Sequence, residues 1–464
     1  MGDQGSLQTK PWRFYTDENM LTHIIISLLL LNIIVVIHEW GHFITAKAFS
    51  VKVIRFSIGF KPFYKRKTKA GYTFCLGWIP LGGFVELADS HNPAHKANGH
   101  GFDQISLFKR SIVLFAGPAI NFLAAFFALW IVFQIPTTIP KPIVIKVLPN
   151  SIAAKAMLPT PSIITKVNQY NINSWQQFAY RMFPNIGSDK RLIIQGKMFN
   201  KPYKPFTREI SSKNWRLEPS FDLIESLGLV PLRPKVPALI DIVVKNGPAD
   251  QAGIQKGDLI ISINGQNIHA WLEAVEIFQK HPSSIIHIKV KREAKRINIP
   301  VKTGWKFNRR WQKQGYVGLG PKAIKPHHDH VYIRDFGLYA SMIQSIKHIQ
   351  STLVFHYYVI IKLMQNTISL SALMGPVGIF NLFHLALQRG ILAVLNLWAA
   401  LNIAIAFFNL LPIPALDGGQ MLFLLIEKIR KKPLSPPTQT LITRLSIILL
   451  LTLIAQATIN DFMR

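Results

Sequence analysis

Four long uncharged runs, separated by charged segments, dominate the pattern of this chain. The first covers 21–37 and passes directly into His38-Glu39. The second covers 111–135. The third covers 390–416 and is broken near its end by Pro412 and Pro414. The fourth covers 445–460, and the uncharged residues 438–443 before Arg444 lengthen it. A helix needs about 20 apolar residues to cross a bilayer, so the pattern predicts four transmembrane helices. A further apolar segment, 353–388, carries the lone charge Lys362. It reads either as another span or as an amphipathic segment on the membrane surface. The surface reading is preferred, because a fifth crossing would put the basic cluster Lys428, Arg430, Lys431 and Lys432 outside.

Between the second and third runs the period shortens. Asn246-Gly247-Pro248-Ala249-Asp250-Gln251-Ala252-Gly253-Ile254-Gln255-Lys256-Gly257-Asp258-Leu259-Ile260 leads into Ile263-Asn264-Gly265. A degenerate copy precedes it at constant offset. Ala153 aligns with Ala249, Ala156 with Ala252, Leu158 with Ile254, Ile164 with Ile260, Asn168 with Asn264 and Trp175 with Trp271. Two like domains in tandem follow from such a repeat. Gly253 and Gly257-Asp258 supply turns, and 259–263 alternates as a strand. The copy looks like a PDZ domain of the bacterial periplasmic-protease type. The first copy has Pro161-Ser162 where the second has Gly257-Asp258, so its turn is expected to differ.

Composition strengthens the membrane reading. The 464 residues suffice for about three ordinary domains. They are 49% hydrophobic and 16% charged, against about 25% charged in a soluble domain. Mean hydropathy is +0.23. Lys and Arg number 53 against 23 acids, a net charge of +30. Nucleic acid would suit that charge but not the spans, so the basic excess points to a lipid bilayer. It concentrates in 47–110, which by the positive-inside rule is cytoplasmic, with both termini outside. The region 140–385 is basic too, but long loops translocate largely regardless of charge. It is expected outside, in a bacterial periplasm or its equivalent. Residues 1–20 lack the features of a signal peptide. They read as a short tail, or translation starts at Met20. Cys75 is the only cysteine, which excludes an intramolecular disulfide and a cysteine zinc cluster.

His38-Glu39-Trp40-Gly41-His42 is the spacing H-E-x-x-H. On a helix, positions i and i+4 share one face, so both imidazoles can bind one zinc with Glu39 beside them as general base. Ionisable groups at the end of an apolar run are costly and functional by default. A catalytic zinc takes a third protein ligand. The candidate is Asp417, which closes the uncharged third run among Pro412, Pro414, Gly418 and Gly419. Helix-breaking residues at membrane depth are tolerated where the segment lines a cavity.

These residues resemble the site-2 family of intramembrane zinc metalloproteases. The likeness is carried by 38–42 and by Asn409 with Leu416-Asp417-Gly418-Gly419. It extends to Arg55-Phe56-Ser57-Ile58-Gly59-Phe60, Pro80-Leu81-Gly82-Gly83-Phe84-Val85, Gly117-Pro118-Ala119-Ile120-Asn121 and the ending Ile459-Asn460-Asp461-Phe462. It implies a polytopic α-helical membrane protein with four spans, a membrane-dipping β-loop and two PDZ domains between spans two and three. The expected division is 1–19 tail, 20–46 first span, 47–106 basic segment with the β-loop, 107–136 second span, 137–228 first PDZ-like domain and 229–325 second PDZ domain. There follow 326–388 surface segment, 389–420 third span, 421–437 basic loop and 438–464 fourth span.

The resemblance also implies roles. His38, His42 and Asp417 would bind zinc, and Glu39 would be the catalytic base. Asn409 would hold unwound substrate, and residues 57–61, with Gly59 and Phe60, would offer a strand edge to it. The family's Gly-x-Gly is here Gly59-Phe60-Lys61. A second family asparagine is replaced by Ala404, which leaves Asn402 as a neighbouring candidate. The implied partners are transmembrane substrates in the inner membrane: single-span anti-sigma factors already trimmed outside, and signal-peptide remnants. A non-catalytic membrane PDZ scaffold would be expected to have lost the metal motif, and a transporter would repeat its membrane halves. Neither fits the residues present.

Overall fold

The computed structural model describes residues 20–89, 100–199, 203–213, 215–217, 222–233, 235–307, 313–322 and 327–463. The expected tail, 1–19, lies outside the described residues. Helix α1 (Met20–Ala48) is apolar on all sides, as suits a helix meeting lipid and other helices. It is followed by two long antiparallel strands, β1 (Val53–Lys67) and β2 (Thr73–Leu87). β2 folds across β1, so its two halves flank the same residues. Ser57 pairs with both Phe84 and Cys75, and Ile58 with both Gly83 and Leu76. The half 83–87 therefore forms an outer edge of this small sheet. Helix α2 (Leu107–Gln134) carries Pro118 in its interior. Proline removes the donor for the Leu114 carbonyl, which loosens the helix beside α1.

The region between α2 and the later membrane helices contains two units that share one run of elements, strand, short helix, two strands, helix and two strands. The first holds β3 (Thr137–Pro140), β4 (Ile143–Val147), α3 (Ile152–Lys155), β5 (Ser162–Val167), β6 (Tyr170–Asn171) and α4 (Trp175–Met182). It continues with β7 (Arg191–Met198), β8 (Pro205–Ser211), α5 (Leu223–Ser226) and β9 (Leu229–Pro231). The second holds β10 (Ile240–Val243), α6 (Pro248–Gln251), β11 (Leu259–Ile263), β12 (Gln266–Asn267), α7 (Trp271–Lys280), β13 (Ile285–Arg292) and β14 (Lys295–Lys302). Then come β15 (Gly304–Phe307), β16 (Lys313–Tyr316), β17 (Leu319–Pro321) and β18 (Val331–Arg334), which pairs back with β3. The sheet order β8-β7-β5-β4-β9 of the first unit corresponds to β12-β11-β13-β14 and the pair β10-β17 of the second.

The repeat is detailed. Asn168 and Asn264 both take positive φ, and each side-chain oxygen accepts a backbone N–H across the turn, from Ile193 and His287. Met157 takes positive φ at the position of Gly253. Where the second unit buries Asp258 against Arg292, the first has Ser162 opposite Met198. Each unit has its own apolar core, around Phe178 and Trp215 in the first and Ile260, Trp271 and Ile286 in the second.

Five further helices follow. Helix α8 (Leu338–Met364) lays Phe355, Tyr358 and Val359 against the first unit's core. Helix α9 (Pro376–Arg389) follows a turn, then α10 (Ile391–Asn409), α11 (Asp417–Arg430) and α12 (Pro436–Met463). The segment expected to lie on the surface, 326–388, is thus divided into two helices. Among the described residues, five stretches are long and apolar enough to cross a membrane: Leu21–Ala48, Leu107–Gln134, Leu370–Arg389, Ile391–Asn409 and Pro436–Met463. The four predicted runs are among them, and Leu370–Arg389 is the addition. Its continuous helix, α9, is 14 residues, or about 21 Å, against a hydrocarbon core of about 30 Å. Its start is tied to α12: the Asp461 carboxylate accepts the N–H groups of Gly375 and Gly378, and Asn460 donates to the Leu370 carbonyl.

Candidate metal centre

His38 and His42 lie one turn apart on α1 and both are buried. Their rings meet edge to face with centroids 4.9 Å apart. Asp417 reaches them from the first position of α11. The chain arrives there through a tight fold. α10 ends at Asn409, Pro412 and Pro414 prevent its continuation, and α11 starts at once. Gly418 and Gly419 are required by this fold: a methyl on either would strike the backbone of Leu410 or Ile413. Both elements are held against α2. A Cβ on Gly41 would lie 2.8 Å from the Ala116 carbonyl carbon, so α1 and α2 touch backbone to backbone.

Three ligand atoms converge. His38 Nε2 is 3.1 Å from Asp417 Oδ2, His42 Nε2 is 3.5 Å from the same oxygen, and the two Nε2 atoms are 3.2 Å apart. Ligands on a tetrahedral zinc at about 2.0–2.1 Å stand about 3.3 Å from one another, so the triangle fits a zinc ion. The outer nitrogens are also engaged. His42 Nδ1 is 2.8 Å from the Val113 carbonyl oxygen, the partner that fixes a metal-binding tautomer. His38 Nδ1 is 3.4 Å from the fully buried Asn121 amide, whose Oδ1 has no other partner. Turning that amide over would give the oxygen the His38 Nδ1–H and leave Nε2 as a lone-pair donor.

A cavity of about 330 Å³ opens on the triangle. Its wall includes Glu39, Asn409, and Phe84, Val85 and Leu87 from β2. Glu39 is therefore in reach of anything held between the ligands and that strand. Three of the residues expected to meet substrate lie off this cavity. Gly59 and Phe60 do not line the cavity: residues 55–58 are paired on both sides, Phe60 pairs with Ile79, and Gly59, at positive φ within β1, packs against Ile79 and Gly77. The strand edge at the cavity is 83–87 instead. Asn402 is fully buried and donates to the Trp398 carbonyl one turn back, away from the cavity. Sequence reasoning missed Asn121 and Gly117 as parts of the centre. A Cβ on Gly117 would stand 2.7 Å from His42 Cε1 and 2.8 Å from His38 Cε1. The signal was present in Gly117-Pro118-Ala119-Ile120-Asn121, but nothing in the residues themselves ties α2 to α1.

A paired HExxH helix and a distant aspartate, meeting inside an apolar helix bundle, define a membrane metalloprotease. The chain belongs to peptidase family M50, the site-2 type of zinc metalloprotease, whose family model matches residues 26–453. It is 30% identical over 455 residues to a putative zinc metalloprotease of Vibrio cholerae, covering 96% of this chain and 99% of that protein. It is 31% identical over 444 residues to the regulator of sigma E protease of Haemophilus influenzae, covering 94% and 98%. Against the regulator of sigma-E protease RseP of Escherichia coli K12 it is 29% identical over 438 residues, covering 94% and 97%.

Proposed function

We propose that this chain hydrolyses peptide bonds within the transmembrane segments of single-span proteins. The observation that carries the reading is the convergence of His38, His42 and Asp417 on a cavity bounded by apolar helices. In this reading those three residues hold the zinc. When bound, zinc polarises a scissile carbonyl and lowers the pKa of water to about 7. Glu39 lies outside the converging triangle, which leaves its carboxylate to accept the proton of the attacking water and deliver it to the leaving nitrogen. A helical peptide bond is covered by its own turn, so the substrate must unwind. The open edge 83–87 supports strand addition by the unwound segment. Asn409, on the wall with it, offers an amide to the exposed backbone.

The two repeated units, 137–228 and 229–325, we read as PDZ-like domains on the periplasmic side of a bacterial inner membrane. Their shared element order supports the fold, and the basic segment 47–106 supports the orientation. They filter: a folded tandem pair over the centre hinders bulky ectodomains, and a substrate already trimmed outside passes. Relatives named as regulators of sigma E suit a trimmed anti-sigma factor as one such substrate, and remnant signal peptides are a second substrate class in this reading. The test is cleavage of a model transmembrane substrate by purified protein with and without a zinc chelator. Loss of cleavage on chelation, and its return with zinc, is expected. Cleavage unaffected by exhaustive chelation would overturn the reading.

A further inference from the structure

A second cavity, of about 600 Å³, lies where α2, α8, α10 and the first repeated unit meet. Phe133 on its wall is about 24 Å further along α2 than Gly117, which touches the metal centre. That is most of the thickness of a hydrocarbon core, so the cavity sits at headgroup level in the leaflet remote from the metal centre. Arg181, Arg334 and Lys347 line it, and no carboxylate does. None of the three has an ion-pair partner among the described residues. Arg334 lies over the Phe133 ring, 4.6 Å from its centroid, and its Nε is shielded from solvent without a hydrogen-bond partner. Thr137 Oγ1, on the same wall, is likewise buried and unpartnered. The first turn of α10 adds Leu392 and Ala393, and with them the positive end of a 19-residue helix. Burial, together with the charge of Arg334, brings the His348 imidazole down to about 4, so it stays neutral here and offers a hydrogen bond.

We infer that this cavity binds the phosphodiester headgroup of an anionic phospholipid. The shielded Arg334 Nε and Thr137 Oγ1 are costly to leave without a partner, which an anion would supply; Arg181, stacked on the Tyr170 ring, and the exposed Lys347 add positive charge around them. A headgroup is the anion whose chemistry and depth both match, and the aromatic walls, Phe133 and Phe336, continue toward the apolar helices. Free phosphate shares the charge but not the acyl chains, and a peptide α-carboxylate shares the charge but neither the acyl chains nor the depth.

The test uses the full chain purified in neutral detergent. Equilibrium binding of short-chain phosphatidylglycerol is compared with short-chain phosphatidylcholine and with inorganic phosphate. Saturable binding of phosphatidylglycerol is expected, at least tenfold tighter than of the other two. Lys347→Gln and Arg334→Gln should each weaken it roughly fivefold, the effect of one cation near an anionic lipid surface. Lys347 is exposed, so its replacement keeps the test decisive where the Arg334 variant fails to fold. Equal binding of the two lipids, equal binding of inorganic phosphate, indifference to Lys347→Gln, or displacement by a peptide with a free carboxyl terminus at lower concentration would each overturn the inference. The readout is binding alone, so its failure leaves the protease reading untouched.

Discussion

Adding a single methyl group at position 117 should separate the metal centre from the fold that carries it. Gly117 faces both imidazoles: a Cβ there would stand 2.7 Å from His42 Cε1 and 2.8 Å from His38 Cε1. Carbon atoms rest at about 3.5–4.0 Å, so each ring must retreat by roughly 0.7 Å or more. A metal site tolerates about 0.2 Å. The rings have little room to yield, since His42 is bonded to Val113 and His38 to Asn121, and the backbones of α1 and α2 are already in contact at Gly41. Overpacking of this kind costs about 1–3 kcal/mol, which corresponds to roughly 5- to 150-fold in an equilibrium constant. Gly117→Ala should therefore lose zinc affinity by about that factor. Helix propensity works the other way, because alanine favours a helix by about 1 kcal/mol over glycine. That gain offsets part of the overpacking cost in the fold, so the metal-free variant should lose no more than about 2 kcal/mol of stability against the metal-free parent. Zinc content after dialysis against buffered zinc, with thermal unfolding of both apo forms, reads the two effects separately. Wild-type zinc content together with wild-type cleavage would refute the argument that the three side chains form one packed centre with Gly117.

Other expectations follow from the same geometry. Glu39→Gln should keep zinc while lowering cleavage of a model substrate at least a hundredfold, as loss of a general base does; near wild-type turnover would remove Glu39 from that role. Asp417→Ala should lose zinc and activity together, and full metal occupancy in that variant would exclude it as the third ligand. Asn121→Ala, which removes the partner of His38 Nδ1, should weaken metal binding about 10- to 100-fold, measured by competition with a chelator. Asp258 is fully buried and bonded twice by Arg292. Burial pushes its carboxyl up, but the Arg292 ion pair and the Gln255 backbone N–H together outweigh burial and hold it below the usual carboxylate value. The ion pair should stabilise the second repeated unit above the unfolded aspartate pKa of about 3.9, and that stabilisation should fade as pH falls through the lower folded value. Asp258→Asn should cancel this acid dependence, visible as a flatter profile of unfolding temperature between neutral pH and about 3.

What the sequence disclosed, and what it withheld, divides along physical lines. Long apolar runs report burial in lipid directly, so α1, α2, α10 and α12 could be read from 21–37, 111–135, 390–416 and 445–460. The repeat was legible because turns impose residue types: Asn168 and Asn264 take the same left-handed conformation and make the same hydrogen bond. The segment 326–388 was harder. Its apolar residues serve two different neighbours, with Phe355 and Tyr358 on the first repeated unit and Phe383 buried among membrane helices. One hydrophobic pattern thus covers two helices and a turn.

The metal centre shows the same division at smaller scale. His38 and His42 announce themselves because an i, i+4 pair fixes its own geometry within one helix. Asp417 needed only the oddity of a lone acid at the end of an apolar run. The strand edge could not be assigned from the chain, because β2 folds over β1 and exchanges the edge for the interior. Residues 55–58 are then bonded on both sides, and the half-strand 83–87 is left on the outer edge, lining the cavity with Glu39. A substrate strand added there would run between Glu39 and Asn409 without displacing any existing strand pair. In the proposed reading the paired residues 55–58 support that edge, and the half-strand 83–87 is the part of the sheet that faces the cavity.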